Sequence, residues 1–153
     1  MPATQDAVTG DPMIGIHFEV DVSGKMTGYF TEVSGLGSES DVVEHKIIAK
    51  GAKESIIRKI PGRLKWGDIT LKRGITANMD AYEWRKLVEQ GKVDAARANG
   101  TITMFDQTLA PVAQWEFTAA WPSKVSGPSL SAESNAVGIE EMTLVHEGIK
   151  RLK

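Results

Sequence analysis

From Ile14 the chain alternates. The run IGIHFEVDV sets Ile14, Ile16, Phe18, Val20 and Val22 on one face and Gly15, His17, Glu19 and Asp21 on the other, the two-residue period of a half-buried strand. Ser23-Gly24-Lys25 supplies a turn and MTGYFTEV returns, so the first element is a hairpin. VSGLGSES (33–40) reads as a loop. DVVEHKIIAK and ESIIRKI then flank Gly51-Ala52-Lys53 as a second, longer hairpin or arm. Pro61 and Gly62 punctuate the chain before WGDITLKR, where Ile69 and Leu71 face one way and Thr70 and Lys72 the other.

The period changes once, in DAYEWRKLVEQG. Trp84, Leu87 and Val88 share a helical face with Ala81, Asp80 with Glu83 forms a capping box with Asp in place of Ser or Thr, and Gly91 marks the stop. VDAARANG adds a helical turn, and Asn99-Gly100 is read as a turn into the strand TITMFD. VAQWEFTAAW then puts Trp115, Phe117, Ala119 and Trp121 inward and Gln114, Glu116 and Thr118 outward, until Pro122 ends the strand. After a serine-rich loop, SGPSLSAESN, the last strand changes phase between Val137/Ile139 and Met142/Leu144, which predicts a bulge at Glu140-Glu141.

About seven or eight strands and one helix make the chain mainly β (α+β): an antiparallel sandwich or partly closed barrel, with the helix flanking an open side. Residues 1–13 form an N-terminal arm and 14–153 a single domain, from which residues 41–59 project. Phe18, Trp84, Leu87, Trp115, Phe117 and Trp121 are the expected core anchors.

Composition narrows the function classes. A chain of 153 residues with net charge −2 and no Cys has no disulfide framework and no thiolate chemistry, and its bulk charge offers nucleic acid or anionic lipid no attraction. Apolar runs stay far short of the roughly 20 residues a membrane helix needs. The start MPATQDAVTGDPM lacks the basic and apolar blocks of a secretory signal.

Catalytic patterns fail one by one. His17, His45 and His146 lie on three different strands without ligand spacing and read as solvent-facing; in VHEG, Lys150 stands where a zinc-protease helix needs its second His. GLGSES has Ser40 where a dinucleotide loop needs its third glycine. Glu140-Glu141 and Glu39/Asp41 read as solvated faces. The basic stretch KIPGRLKWGDITLKRGIT (59–76) has Arg63, Lys65, Lys72 and Arg73 bordering or decorating a strand, with only Trp66 for stacking, so it forms neither a phosphate cradle nor a nucleic-acid groove. No enzyme, cofactor or metal site is expected. Strand edges left open by such a domain must be covered or paired, and copies of the same chain are one solution.

GYFTEVSGLGSESDVVEH (28–45), KIPGRLKWGDITLKRGIT (59–76) and WEFTAAWPSKVSGPSLSAESNAVGIEEMTLVHEGI (115–149), with the Trp84 helix between them, resemble the inner tube proteins of contractile phage tails and contractile injection particles. The Hcp-like proteins of type VI secretion share that fold. In that light Pro61-Gly62 is a loop leading into a core strand. The resemblance implies hexameric rings that stack into a rigid hollow conduit, with polar strand faces toward the lumen and a contracting sheath driving the tube through a target envelope. Partners would be the chain itself, a sheath protein, the baseplate or spike hub, tube-terminating proteins, and luminal cargo or a genome, with no membrane anchor. The setting would be a virion tail or a cytoplasmically assembled injection particle. Within the arm, Glu44, His45, Lys46, Lys50, Lys53 and Glu54 are the candidates for inter-ring contact. The competing reading is a monomeric β-sandwich ligand-binding module, supported by the tryptophans and the antiparallel pattern.

Overall fold

The computed structural model describes residues 17–48, 51, 54–128 and 138–153. Residues 1–13, Ile14, Ile16, Lys50, Lys53, Val137 and most of the serine-rich loop lie outside the described residues. The first alternating run becomes β1 (His17–Val22), which turns through Gly24 into β2 (Met26–Phe30) with Val22 opposite Met26 and Phe18 opposite Phe30. A kink at Thr31 divides the expected second strand, and β3 (Glu32–Ser34) pairs elsewhere. The long hairpin is present as β4 (Ser38–Ile48) and β5 (Ser55–Trp66), so the loop before it shortens to residues 35–37. There follow β6 (Ile69–Gly74), helix α1 (Asp80–Glu89), the short α2 (Val93–Ala96), β7 (Ala98–Phe105), β8 (Pro111–Ser126), β9 (Ile139–Val145) and β10 (Gly148–Arg151).

Eight strands form one antiparallel sheet in the order β2-β1-β7-β8-β9-β6-β3, with β10 also on β8. Because β2 and β3 are joined through Thr31 alone, the path returns to its start, and the Thr31 N–H donates to the Lys72 carbonyl at 2.9 Å. The sheet is thus curled into a partly closed barrel, bridged between β2 and β3 by the chain itself and not by a β2–β6 ladder. Its interior holds Val20, Val22, Met26, Ile69, Leu71, Ile102, Phe117 and Leu144, all nearly solvent-free. Helix α1 packs on β8, burying Ala81 and Trp84. Trp84 Nε1 donates to the Ala96 carbonyl at 2.6 Å, which ties α2 beneath it. Of the expected anchors, Trp84 and Phe117 are buried, while Phe18, Leu87, Trp115 and Trp121 pack half-buried against the core.

Several local expectations are corrected. Pro122 is buried inside β8, which runs four residues beyond it; its missing N–H is tolerated where the register with β9 shifts. Inward positions change parity along β8, from Ala113 and Phe117 to Ala120 and Pro122. The switch is at Ala119, held at φ +51 where the register with β7 also slips. Asn99-Gly100 is no turn: both lie in β7, where Asn99 Oδ1 accepts the Ala119 N–H at 3.0 Å. Gly100 is required there because a Cβ would come within 2.6 Å of the Phe117 ring and 2.7 Å of the Asp21 carbonyl oxygen.

At the helix start Asp80 is already the first helical residue, and Met79 in the capping position makes no side-chain cap; Asn78 Oδ1 instead accepts the Asp80 N–H at 2.9 Å. Pro61 and Gly62 are not a loop but part of β5, near the bulge between Ser40 and Val42 on β4. Residues 139–145 carry no bulge at Glu140-Glu141, since Ile139 to Leu144 pair with β6 without interruption. Glu140 points into the barrel and Ile139 out.

Candidate functional site

Two surfaces of the fold are built for contact. The first is the β4–β5 hairpin. Beyond the bulge its register runs Val43–Ile60, Glu44–Lys59, His45–Arg58, Lys46–Ile57 and Ile47–Ile56. Side chains alternate between faces, so Val43, His45, Ile47, Arg58, Ile56 and Ile60 share one face, and Glu44, Lys46, Ile48, Lys59 and Ile57 the other. Each face mixes aliphatic and charged groups. Val42, Val43, Ile48, Ile56, Ile57 and Leu64 are all more than half exposed, and the hairpin forms its own two-stranded sheet, hydrogen-bonded to no other strand among the described residues. A lone two-stranded ribbon is marginal in water, and contiguous exposed aliphatics mark an interaction surface.

The expected contact residues Glu44, His45, Lys46 and Glu54 are exposed on this hairpin, while Lys50 and Lys53 lie outside the described residues. They are divided between faces, His45 apart from Glu44 and Lys46. Reading only the charges missed the aliphatic half of the surface. Its signal was in the doublets Val42-Val43, Ile47-Ile48 and Ile56-Ile57, which place apolar residues on both faces of a strand and so belong to no half-buried pattern.

The hairpin joins the barrel through Gly35, Gly37 and Gly67. Gly35 sits at φ +86 with its Cα against the Asp68 carbonyl, leaving no room for a side chain. The Gly67 N–H donates to the Gly37 carbonyl at 3.1 Å, and His146 Nε2 donates to the Gly67 carbonyl at 2.9 Å. His146 is therefore buried and not solvent-facing, with its Nδ1 lacking a partner among the described residues. His17 is half-buried and His45 exposed, so the three do not converge.

The second surface is the outer face of β2-β1-β7-β8-β10. Register aligns Thr27, Asp21, Thr101, Glu116 and Lys150 in one row across five strands, and Tyr29, Glu19, Thr103 and Gln114 in the next. Thr27 donates to Asp21 at 3.0 Å and Gln114 Nε2 to Thr103 at 3.3 Å. This is a polar wall, with a shallow hollow where Asp21, Thr101 and Glu116 meet the Ser23-Gly24 turn. At one end the β7–β8 turn is organised by Asp106, whose carboxylate accepts from the Thr108 hydroxyl and from the Thr108 and Ala110 N–H groups. Those bonds, led by the Thr108 hydroxyl, hold its carboxyl below the usual range.

The titratable cluster lies inside. Arg73, expected as surface decoration, is buried, and its Nε donates to Glu140 Oε2 at 3.2 Å. Tyr82 Oη donates to Glu140 Oε1 at 3.1 Å, and the Arg73 guanidinium carbon stands 5.0 Å from the Phe30 ring centre. Burial, and then the Glu140 carboxylate, push the Tyr82 phenol above its ordinary value. Glu140 thus receives a donor on each carboxylate oxygen and joins β6, β9 and α1, while Arg73 Nη2 has no hydrogen-bond partner among the described residues. Among the described residues no group of three or more His, Cys, Asp and Glu side chains is placed to hold a metal, and no helix is long and apolar enough to cross a membrane.

A family model for the T4-like virus tail tube protein gp19 matches residues 15–150. The chain belongs to that family. It is a structural subunit of a tail tube, and the reading as a monomeric ligand-binding sandwich is not favoured. A search of curated proteins by sequence finds no match. Among solved structures, this tail tube protein is similar to a chain of the PVC sheath-tube complex of an extracellular contractile injection system, in its extended state, at 24% identity and TM-score 0.72, covering 99% of this chain and 97% of that one. A chain of the six-fold symmetrised anti-feeding prophage baseplate is similar at 19% identity and TM-score 0.68, covering 93% and 96%. Hcp1 from Flavobacterium johnsoniae shares the fold at 15% identity and TM-score 0.54, covering 89% and 94%. The mainly β, Hcp-like tube fold expected from the sequence is thus present.

Proposed function

We propose that this tail tube protein forms the wall of the inner tube of a contractile tail or injection particle, as hexameric rings stacked into a hollow conduit. The observation that carries this reading is the free-standing β4–β5 hairpin, which exposes aliphatic side chains on both faces and has no further partner strand among the described residues. Such a surface is stable when covered by neighbouring copies. Glu44, His45, Lys46 and Glu54, together with Lys50 and Lys53, would contact the adjacent ring alongside Ile48, Ile56 and Ile57. A sheath would surround the tube, with a baseplate or spike hub at one end and a terminator at the other, and cargo or a genome inside. The role is mechanical, with no catalytic step. Assembly would place the protein in a virion tail or a cell-assembled particle.

Negative-stain electron microscopy of the purified protein at rising concentrations, alongside mass measurement in solution, tests the reading. Rings with a central hole, or stacks of them, are expected. A protein that remains monomeric at high concentration, even with baseplate components as a nucleus, overturns it.

A further inference from the structure

At one end the polar wall gives way to an apolar hollow. One row beyond Tyr29, Glu19, Thr103 and Gln114, register sets His17 opposite Phe105. Together with Leu109 of the β7–β8 turn, His17, Tyr29 and Phe105 line a hollow of about 490 Å³. Tyr29 is 66% exposed and Leu109 45%. His17, Tyr29 and Phe105 share the strand parity of Glu19, Thr27 and Thr103, so the hollow opens on the face of the wall and not at the end of the sheet.

Leu109 is the informative residue. It sits at φ +61, in the left-handed region that Gly or Asn occupies at lower cost. Its N–H donates to the Asp106 carbonyl at 3.1 Å, within the turn that the Asp106 carboxylate fixes through Thr108 and Ala110. A backbone outlier of this kind points to a use for the side chain, and here that side chain is presented beside two aromatic rings.

Charge selects what fits. Glu19 lies opposite Tyr29, Asp106 belongs to the turn beneath Leu109, and Asp21 and Glu116 follow one row further along the wall. Bonds led by that of the Thr108 hydroxyl hold the Asp106 carboxyl below its usual range, so it stays charged. Lys150 and Lys153 lie at the far edge, on β10 and just past it. A cation is drawn to the hollow, where it can also stack on the Tyr29 ring, and a phosphate backbone is repelled.

We infer that the hollow is a docking site for polypeptide inside the conduit, taking segments in which an apolar or aromatic side chain neighbours a lysine or arginine. The apolar group lodges among Tyr29, Phe105 and Leu109, and the cation lies against Glu19 and Asp106. This rests on the tube reading above, in which the polar wall faces the lumen. Ring symmetry then repeats the site around the bore, so weak contacts along one extended chain add. Nucleic acid is turned away by the same carboxylates and does not lodge.

Fluorescence anisotropy on assembled wild-type rings tests this with a labelled octapeptide alternating lysine and phenylalanine. It is expected to bind, and to bind roughly tenfold more weakly or not at all when serine replaces phenylalanine or glutamate replaces lysine. A short thymidine oligonucleotide is expected not to bind. Leu109→Gly suits the backbone of the turn while removing the side chain. That variant and Tyr29→Ser are expected to weaken the peptide severalfold with rings and melting temperature unchanged, and Glu19→Gln to weaken it and flatten its salt dependence. No binding to wild-type rings, binding that ignores all three variants, or preference for the oligonucleotide overturns the site. Loss of ring stacking in Leu109→Gly and Tyr29→Ser gives the hollow to a neighbouring copy and also overturns it. Wild-type protein that forms no ring, read by mass before any peptide is added, defeats the tube reading instead.

Discussion

Arg73 Nε meets Glu140 Oε2 at 3.2 Å inside the barrel, with both side chains more than nine-tenths buried. The pair bridges β6 to β9 and is completed by the Tyr82 hydroxyl on the second carboxylate oxygen. Removing one member leaves a buried charge without its partner, which costs about 3–5 kcal/mol. Glu140→Gln is therefore expected to lower stability by an amount of that order in urea unfolding of the unassembled protein. Replacing the pair together, as Arg73→Met/Glu140→Leu, is expected to restore much of the loss; a double variant no more stable than the single one would count against the pairing.

The same cluster gives an alkaline signature. Tyr82 binds its proton more tightly in the fold than in the unfolded chain, because burial and Glu140 both disfavour the phenolate. Its contribution is complete below the ordinary tyrosine range and is lost as pH rises through the raised folded value. Stability measured against pH is expected to fall on that alkaline limb, and Tyr82→Phe is expected to flatten it. An identical limb in both proteins would place the cause elsewhere.

Trp84 is nearly solvent-free and donates to the Ala96 carbonyl. Trp84→Ala is expected to cost about 3–5 kcal/mol by emptying the space between α1 and β8. Trp84→Phe keeps most of the packing but leaves Ala96 without its donor, for about 1–3 kcal/mol. Melting temperatures of the three proteins check the order.

Ala119 is held in the left-handed region at φ +51, where a Cβ is unfavourable by roughly 1–2 kcal/mol. Ala119→Gly is expected to leave stability unchanged or raise it by up to about 1 kcal/mol, the added freedom of the unfolded chain offsetting part of the relief. A clear loss in denaturant unfolding would show that the methyl group packs.

Ile56→Lys and Ile57→Lys separate folding from assembly. Both positions are more than half exposed on the hairpin, so unfolding of the unassembled protein is expected to move by no more than about 0.5 kcal/mol. Ring stacking, seen by electron microscopy, is expected to be lost.

Two-residue and helical periods carried the β1–β2 hairpin and α1, because in each the buried face repeats, whereas the long arm, exposed on both faces, was marked out by its apolar runs on either side of Gly51. The misses cluster where a buried residue is polar or the chain changes parity. Glu140 looked like a break in alternation because an inward carboxylate reads as outward until its partner Arg73 is known, and that partner lies 67 residues away. Asn99-Gly100 has turn chemistry, but Asn99 uses its amide to hold the Ala119 kink and Gly100 makes room for Phe117. Pro122 ends a strand in most settings, yet here it occupies a register shift. For the hairpin, charge drew attention away from the aliphatic doublets that lie beside it.

The hairpin is long, two paired strands reaching roughly 35 Å if straight. It enters the barrel at Gly35–Gly37 and leaves it at Gly67, and the two tethers are clasped by the Gly67 to Gly37 hydrogen bond and by His146. Any push or pull delivered to the tip thus acts as a lever about a narrow pivot, and the barrel receives it mostly as torque at the corner between β9 and β10.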